Sequence, residues 1–222
     1  VFTVTGEFEI HLTVGPVAGR ADAPSPYRAL ERYAAGRGWK FAHIVLDRGR
    51  VPSQPMLTLR ADGALAAARS AAEAAAAGLA GAGFPVVRTK IEAAPWAAGV
   101  PASDEDGRAL GPRYYFEHHV KLLLDTPGAA PALAGLAAAY AAHLSRNARR
   151  VRPDGRAERF LTQRCRLVGR DTAGRRLEAL TAALRAGGGG GPEILSVERE
   201  FVVYDSDESL DAGWMAEEGA AR

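Results

Sequence analysis

A glutamate stands two residues before a histidine at Glu9 and His11, in Phe8-Glu9-Ile10-His11-Leu12-Thr13, and again at Glu117 and His119, in Phe116-Glu117-His118-His119-Val120. Imidazole titrates near neutrality, and a carboxylate beside it can tune or share its proton, so such a pair suits general acid–base work. Two more histidines follow an alanine, His43 and His143. His11-Leu12-Thr13 and His143-Leu144-Ser145 both read His-x-Thr/Ser, a spacing that puts imidazole and hydroxyl on one side of a strand. Leu-Thr-x-Arg also occurs twice and supplies Thr58 with Arg60, and Thr162 with Arg164. Together with Lys90 these side chains are donors that could bind phosphate or another anion as negative charge develops.

The elements that must position these residues come in a repeated order. "GEFEIHLTV" alternates as a strand, 26–37 reads as a helix, "WKFAHIVLD" and "PMLTLR" as strands, 64–79 as a helix and "PVVRTKIEA" as a strand. From Arg113 the same strand, helix, strand, strand, helix, strand order returns and ends at "ILSVEREFVVY", entered through a turn at the glycine run 187–191. The reading is α+β, with two tandem ferredoxin-like βαββαβ modules related by pseudo-twofold symmetry, an internal duplication. The modules cover 1–96 and 113–206, a connector rich in Pro, Gly and Asp covers 97–112, and an acidic C-terminal tail covers 207–222. Each module would pack helices on one sheet face and leave the other open. Alternation assigns Glu9, His11, Thr13, Thr58, Arg60, Arg88, Lys90 and Glu92 to the open face of the first module. In the second it assigns Glu117, His119, Lys121, Thr162, Arg164, Glu198, Glu200 and Tyr204. His118 falls among the apolar set and reads as a core or edge residue. Two lobes joined by a connector would bring the open faces together around a cleft lined by Glu9, His11, His43, Glu117, His119 and His143.

Composition removes several classes. In 222 residues there is one cysteine, Cys165, which excludes an intramolecular disulfide framework and a cysteine-clustered zinc site and suits a reducing, cytoplasmic setting. The amino terminus does not read as a secretory signal, and no apolar run is long enough for a membrane span. Low aromatic content argues against base stacking on an open sheet, and hence against a nucleic acid partner. Twelve arginines against four acids between Ser145 and Arg185, a net of +8, contrast with the stretch from Glu198 to the end, where Asp205, Asp207, Glu208, Asp211, Glu217 and Glu218 lie close together. The tail is expected to lie against that basic window, with Trp214 as its anchor.

The two His-x-Thr/Ser motifs and the two-lobed plan resemble the two-histidine phosphoesterase superfamily, whose related halves each bring such a motif to a central cleft. That resemblance implies a hydrolase acting on phosphodiesters without a metal cofactor, with His11, Thr13, His43, His119, His143 and Ser145, aided by Glu9 and Glu117, as the catalytic groups. Thr58, Arg60, Lys90, Thr162 and Arg164 would hold a small anionic or phosphorylated substrate. The internal register sets His11 against His119 and His143 against His43, so the two motifs fall on non-equivalent strands. Paired modules with a histidine on the first strand and a glutamate on the last also look like the vicinal oxygen chelate superfamily. That likeness implies a divalent metal held by His11, Glu92, His119 and Glu200. A third reading is a non-catalytic protein that binds a small anion.

Overall fold

A computed structural model describes residues 2–16, 26–150, 152–186 and 191–215. The glycine turn at 187–190 and the tail acids Glu217 and Glu218 lie outside the described residues. The chain is α+β. Strands β1 (Thr5–Val14), β2 (Lys40–Leu46), β3 (Ser53–Ala64) and β4 (Val86–Ala93) alternate with helices α1 (Pro26–Ala35) and α2 (Leu65–Gly81). After α3 (Asp104–Leu110) come β5 (Tyr115–Leu124), α4 (Ala130–Ala139), β6 (Ala142–Asn147), β7 (Ala157–Arg166), α5 (Arg170–Ala186) and β8 (Glu193–Asp205). No helix among the described residues is long and apolar enough to cross a membrane.

The eight strands form one closed antiparallel barrel in the order β1-β3-β2-β6-β7-β5-β8-β4. Each half runs in the same order, β4-β1-β3-β2 and β8-β5-β7-β6. The halves join where β2 pairs with β6, from Ile44 opposite Asn147 to Leu46 opposite Ser145, and where β4 pairs with β8. The sequence reading of two lobes around a cleft is corrected here. Each half-sheet ends in unpaired backbone groups, and pairing the ends with each other satisfies those groups and turns two open faces into one enclosed interior.

Alternation places the apolar residues outside the wall, under the helices. Phe8, Ile10 and Leu12 of β1 join Ala68, Ala72 and Leu79 of α2 in one core, while Val120 and Leu122 of β5 join Leu177, Leu180 and Leu184 of α5 in another. The connector is itself structured. Ser103 caps α3 in a reciprocal box with Asp106, and Gly107 lies so close to the turn before α5 that an added Cβ would stand 2.3 Å from Val168 O.

Two strand assignments need correction. Ile91 pairs with Tyr204 but Glu92 with Val202, so Val203 is an extra residue that reverses the facing of the residues after it. Tyr204 therefore lies outside, under the Arg69 guanidinium of α2, and Asp205 turns inward. The repeated Ala-His pair is not in register either. Lys40 stands opposite Thr58 and His143 opposite Thr162, so the residue matching His143 is Lys40, three positions before His43. A shift of three reverses facing. His43 points out of the barrel, bonds Ser53 Oγ at 2.8 Å and packs against the Tyr27 ring of α1.

Candidate functional site

The barrel encloses a cavity of about 180 Å³ with a charged wall and an apolar wall. Glu9, His11, Thr13, Lys90, Glu117, His119, Ser145, Thr162 and Arg164, all expected at the site, line it, as do Glu198 and Glu200. Ile44, Leu46, Met56, Phe160 and Trp214 supply the apolar part.

At the centre the two histidines are held alike. His11 Nδ1 is 2.9 Å from Thr58 Oγ1 and its Nε2 is 2.7 Å from Glu92 Oε2. His119 Nδ1 is 3.0 Å from Thr162 Oγ1, and its Nε2 faces Glu200 Oε2 at 3.2 Å and Glu117 Oε1 at 3.3 Å. A hydroxyl both donates and accepts, so each threonine fixes its ring in either protonation state and leaves Nε2 aimed at the carboxylates. Burial opposes charge on both rings, but the surrounding glutamates outweigh it. His11 is raised above the ordinary histidine value, and His119 is pushed up to about 10. Glu92 and Glu117 are held well below the usual carboxylate range, because the cations beside them overcome burial. Glu200 goes the other way. Burial and the neighbouring Glu92 charge push it up to about 7, against the pull of His119.

Every lysine or arginine among the described residues lining the cavity is bonded to carboxylates. Lys90 Nζ bridges Glu92 at 2.6 Å and Glu117 at 2.5 Å. Arg164 holds Glu117 and Asp211, and Arg88 holds Asp205 and Asp211. The carboxylates raise Lys90, Arg88 and Arg164 above their ordinary values, against the effect of burial.

One end of the barrel is closed by the segment after β8. Asp211, in a 3-10 turn at Glu208–Asp211, accepts from Arg88, Arg164 and Gln54. Trp214 is buried and donates its indole N–H to Leu144 O at 2.9 Å, and Glu208 pairs with Arg166 of the basic window. Asp205 and Asp211 were expected only as acids lying against the basic window, because a bulge and a chain reversal bring them into the barrel and neither leaves a local pattern; Gln54, not singled out, shares the inward face of β3 with Met56. The other end is open. Glu9 and Arg60 pair there at 2.7 Å, with the arginine side chain 73% exposed, so Arg60 stands at the mouth and not in the interior.

The other three histidines lie apart from this centre. His43 is outside the barrel, which separates it from the other expected site residues. His143 is buried beside the Trp214 indole, at 5.9 Å between ring centres, with Arg48 Nη2 donating to its Nδ1 at 3.4 Å. It does not line the cavity. His118 is buried away from the cavity against Gln163, whose amide reaches Tyr140 O, and burial lowers its pKa to about 4.

No family model and no curated protein matches this chain. Among solved structures it is similar to the ligand-free regulatory subunit of aspartate kinase from Thermus thermophilus, at 16% identity and TM-score 0.32 over 82% of this chain and 94% of that one. It is also similar to a mutant chlorite dismutase from Candidatus Nitrospira defluvii, at 12% identity and TM-score 0.31 over 90% of this chain and 92% of that one. Likeness at this level assigns neither a family nor a chemistry to the chain.

Proposed function

We propose that the barrel interior is the divalent-metal site of an enzyme built from two duplicated βαββαβ halves. One observation carries the reading: imidazole and carboxylate ligand atoms converge at the centre, in two groups whose atoms lie within 4.8 Å of one another, while the lysine and arginines around them are already neutralised. Such a set offers ligand atoms to a cation and, among the described residues, no free cationic group to an anion, and a metal bound there would replace the protons that the glutamates favour on the two rings. The groups are Glu9, His11 and Glu200, and Glu92, His119 and Glu200. A mixed nitrogen and oxygen set suits Mn, Fe or Zn, and a metal bound there would act as a Lewis acid toward a carbonyl or phosphoryl oxygen or acidify a water. The chain's own residues do the rest. Thr58 and Thr162 orient the rings, the closed end excludes water, and Ile44, Leu46, Met56, Phe160 and Trp214 accept the apolar body of a small substrate. Matching ladder partners support the duplication, with Glu9 opposite Arg60 and Glu92, and Glu117 opposite Arg164 and Glu200.

Metal-independent phosphodiester chemistry is the second reading. His11, Thr13 and Ser145 sharing one cavity favours it. It ranks below the first because His143 stands behind Trp214 and the cationic groups are already paired. Metal analysis of the purified protein, with phosphodiester turnover measured before and after chelation, separates the two. Bound metal and chelator-sensitive turnover are expected; metal-free protein with chelator-resistant turnover abolished by His11→Ala would reverse the order.

A further inference from the structure

Around the two central histidines the halves of the barrel match at their inward positions, and among the ladder partners on β4 and β8 the match fails at one place. Across β1 and β4, Glu9 faces Glu92 and His11 faces Lys90; across β5 and β8, Glu117 faces Glu200 and His119 faces Glu198. Glu9 therefore corresponds to Glu117, His11 to His119 and Glu92 to Glu200, whereas Lys90 corresponds to Glu198.

Lys90 shows what the shared arrangement is for. Its ammonium lies 2.6 Å from Glu92 Oε1 and 2.5 Å from Glu117 Oε1, and that second oxygen is 3.3 Å from His119 Nε2. A positive charge thus fills a cradle of two carboxylates beside an imidazole. The corresponding cradle in the other half is made of Glu200, Glu9 and His11. There the position of the lysine is taken by a glutamate, so the cradle loses one positive charge and gains a negative neighbour. Its ligand atoms lie within 4.8 Å of one another, and Glu200 Oε2 faces the His119 ring at 3.2 Å in place of an ammonium. Carboxylates gathered in the interior without the ammonium that fills the other cradle are less well neutralised, and a bound cation would supply that charge. Arg60 grips Glu9 through Oε1, by Nε at 3.0 Å and Nη2 at 2.7 Å, and does not engage the other oxygen.

We infer that Glu9, His11 and Glu200 bind a single divalent cation at the position Lys90 fills in the other half, with Glu198 beside it. This rests on reading the interior as a metal site and adds which of the two equivalent positions is used. The alternative group of Glu92, His119 and Glu200 is disfavoured because the Lys90 ammonium already lies 2.6 Å from Glu92 Oε1; in the chosen group His11 would exchange its Nε2 bond to Glu92 for the ion. The mouth of the barrel lies at Glu9, so an entering ion reaches this position first.

The test is metal content by mass spectrometry after the protein is stripped with chelator and re-equilibrated with Mn(II) or Zn(II), with circular dichroism to show that each variant is folded. The native chain should retain one ion. Glu198→Lys restores the missing ammonium and should retain none; Lys90→Gln vacates the second cradle and should retain two. Glu198 is exposed and holds no partner in the buried network among the described residues, so the decisive variant leaves that network intact. A native chain with one ion, joined to a folded Glu198→Lys protein that keeps it or a folded Lys90→Gln protein that gains none, would overturn this assignment and leave the metal reading standing. A native chain that retains no ion would overturn both.

Discussion

Glu9 with Arg60 and Glu117 with Arg164 are the same ion pair written twice, at equivalent positions of the two halves. Their surroundings differ. Arg60 is 73% exposed at the mouth, whereas Arg164 is 8% exposed beneath Asp211, in a network that also holds Lys90 and Arg88. Equivalent sequence has therefore become a solvated rim in one half and a desolvated floor in the other, and what separates them is the segment after β8, which closes only one end. The lesson is that a repeated motif carries repeated geometry but not repeated electrostatics, because the dielectric around a pair is set by what covers it.

The comparison can be broken first by removing one arginine at a time. Arg164→Ala leaves Glu117 and Asp211 buried with less counter-charge, and a loss of about 3–5 kcal/mol in unfolding free energy is expected by denaturant titration. An equal loss from Arg60→Ala would show that the two ends are not different after all.

A second contrast lies between the threonines that hold the rings. If His11 alone carries the ion, Thr58→Val should weaken metal binding by about 10–100-fold in calorimetric titration, as loss of a ligand-orienting partner does. Thr162→Val should leave the affinity within a factor of a few. Equal weakening by both would place the ion between the halves.

The two histidines that follow an alanine give a smaller effect. Burial, with Arg48 and Arg164 nearby, lowers the His143 pKa to about 4, so the ring is neutral in the fold. Its contribution is complete above its ordinary value near 6.5 and is lost as pH falls from there toward 4. In His143→Gln the stability curve should be flatter over that range, by about 1–2 kcal/mol after allowance for solvent screening. His43 shifts in the same direction through burial and the nearby Arg146 and Arg149, but it lies on the outer surface, and His43→Gln should change the curve less. The smallest effect belongs to Arg60→Ala, whose melting curve should overlay that of the native protein.

Much of the site could be read in the strands. Glu9, His11 and Thr13 alternate with Phe8, Ile10 and Leu12, and that period of two is enough to turn one set inward and the other toward the helices. The same reading put Glu92 and Glu200 on the faces that carry His11 and His119, and the barrel brings each glutamate to its histidine. It failed at His43, where the register of the repeat moved, and at Tyr204, where an extra residue interrupted the alternation. Matching Ala42-His43 with Ala142-His143 looked like a repeat but was three residues out of step, and the extra residue near Val203 turned Asp205 inward in place of Tyr204. Neither shift changes residue types, so neither is visible before strands are paired.

The sequence by itself determined the element order and which side chains share a strand face, because both arise from local periodicity within single segments. Only the tertiary structure decided that the two faces close on each other, that Asp211 and Trp214 return to seal one end, and that Lys90 serves as the counter-charge of Glu92 and Glu117. Those outcomes depend on pairing between residues far apart in the chain, where the balance between burying a charge and neutralising it is struck by partners that no single segment contains.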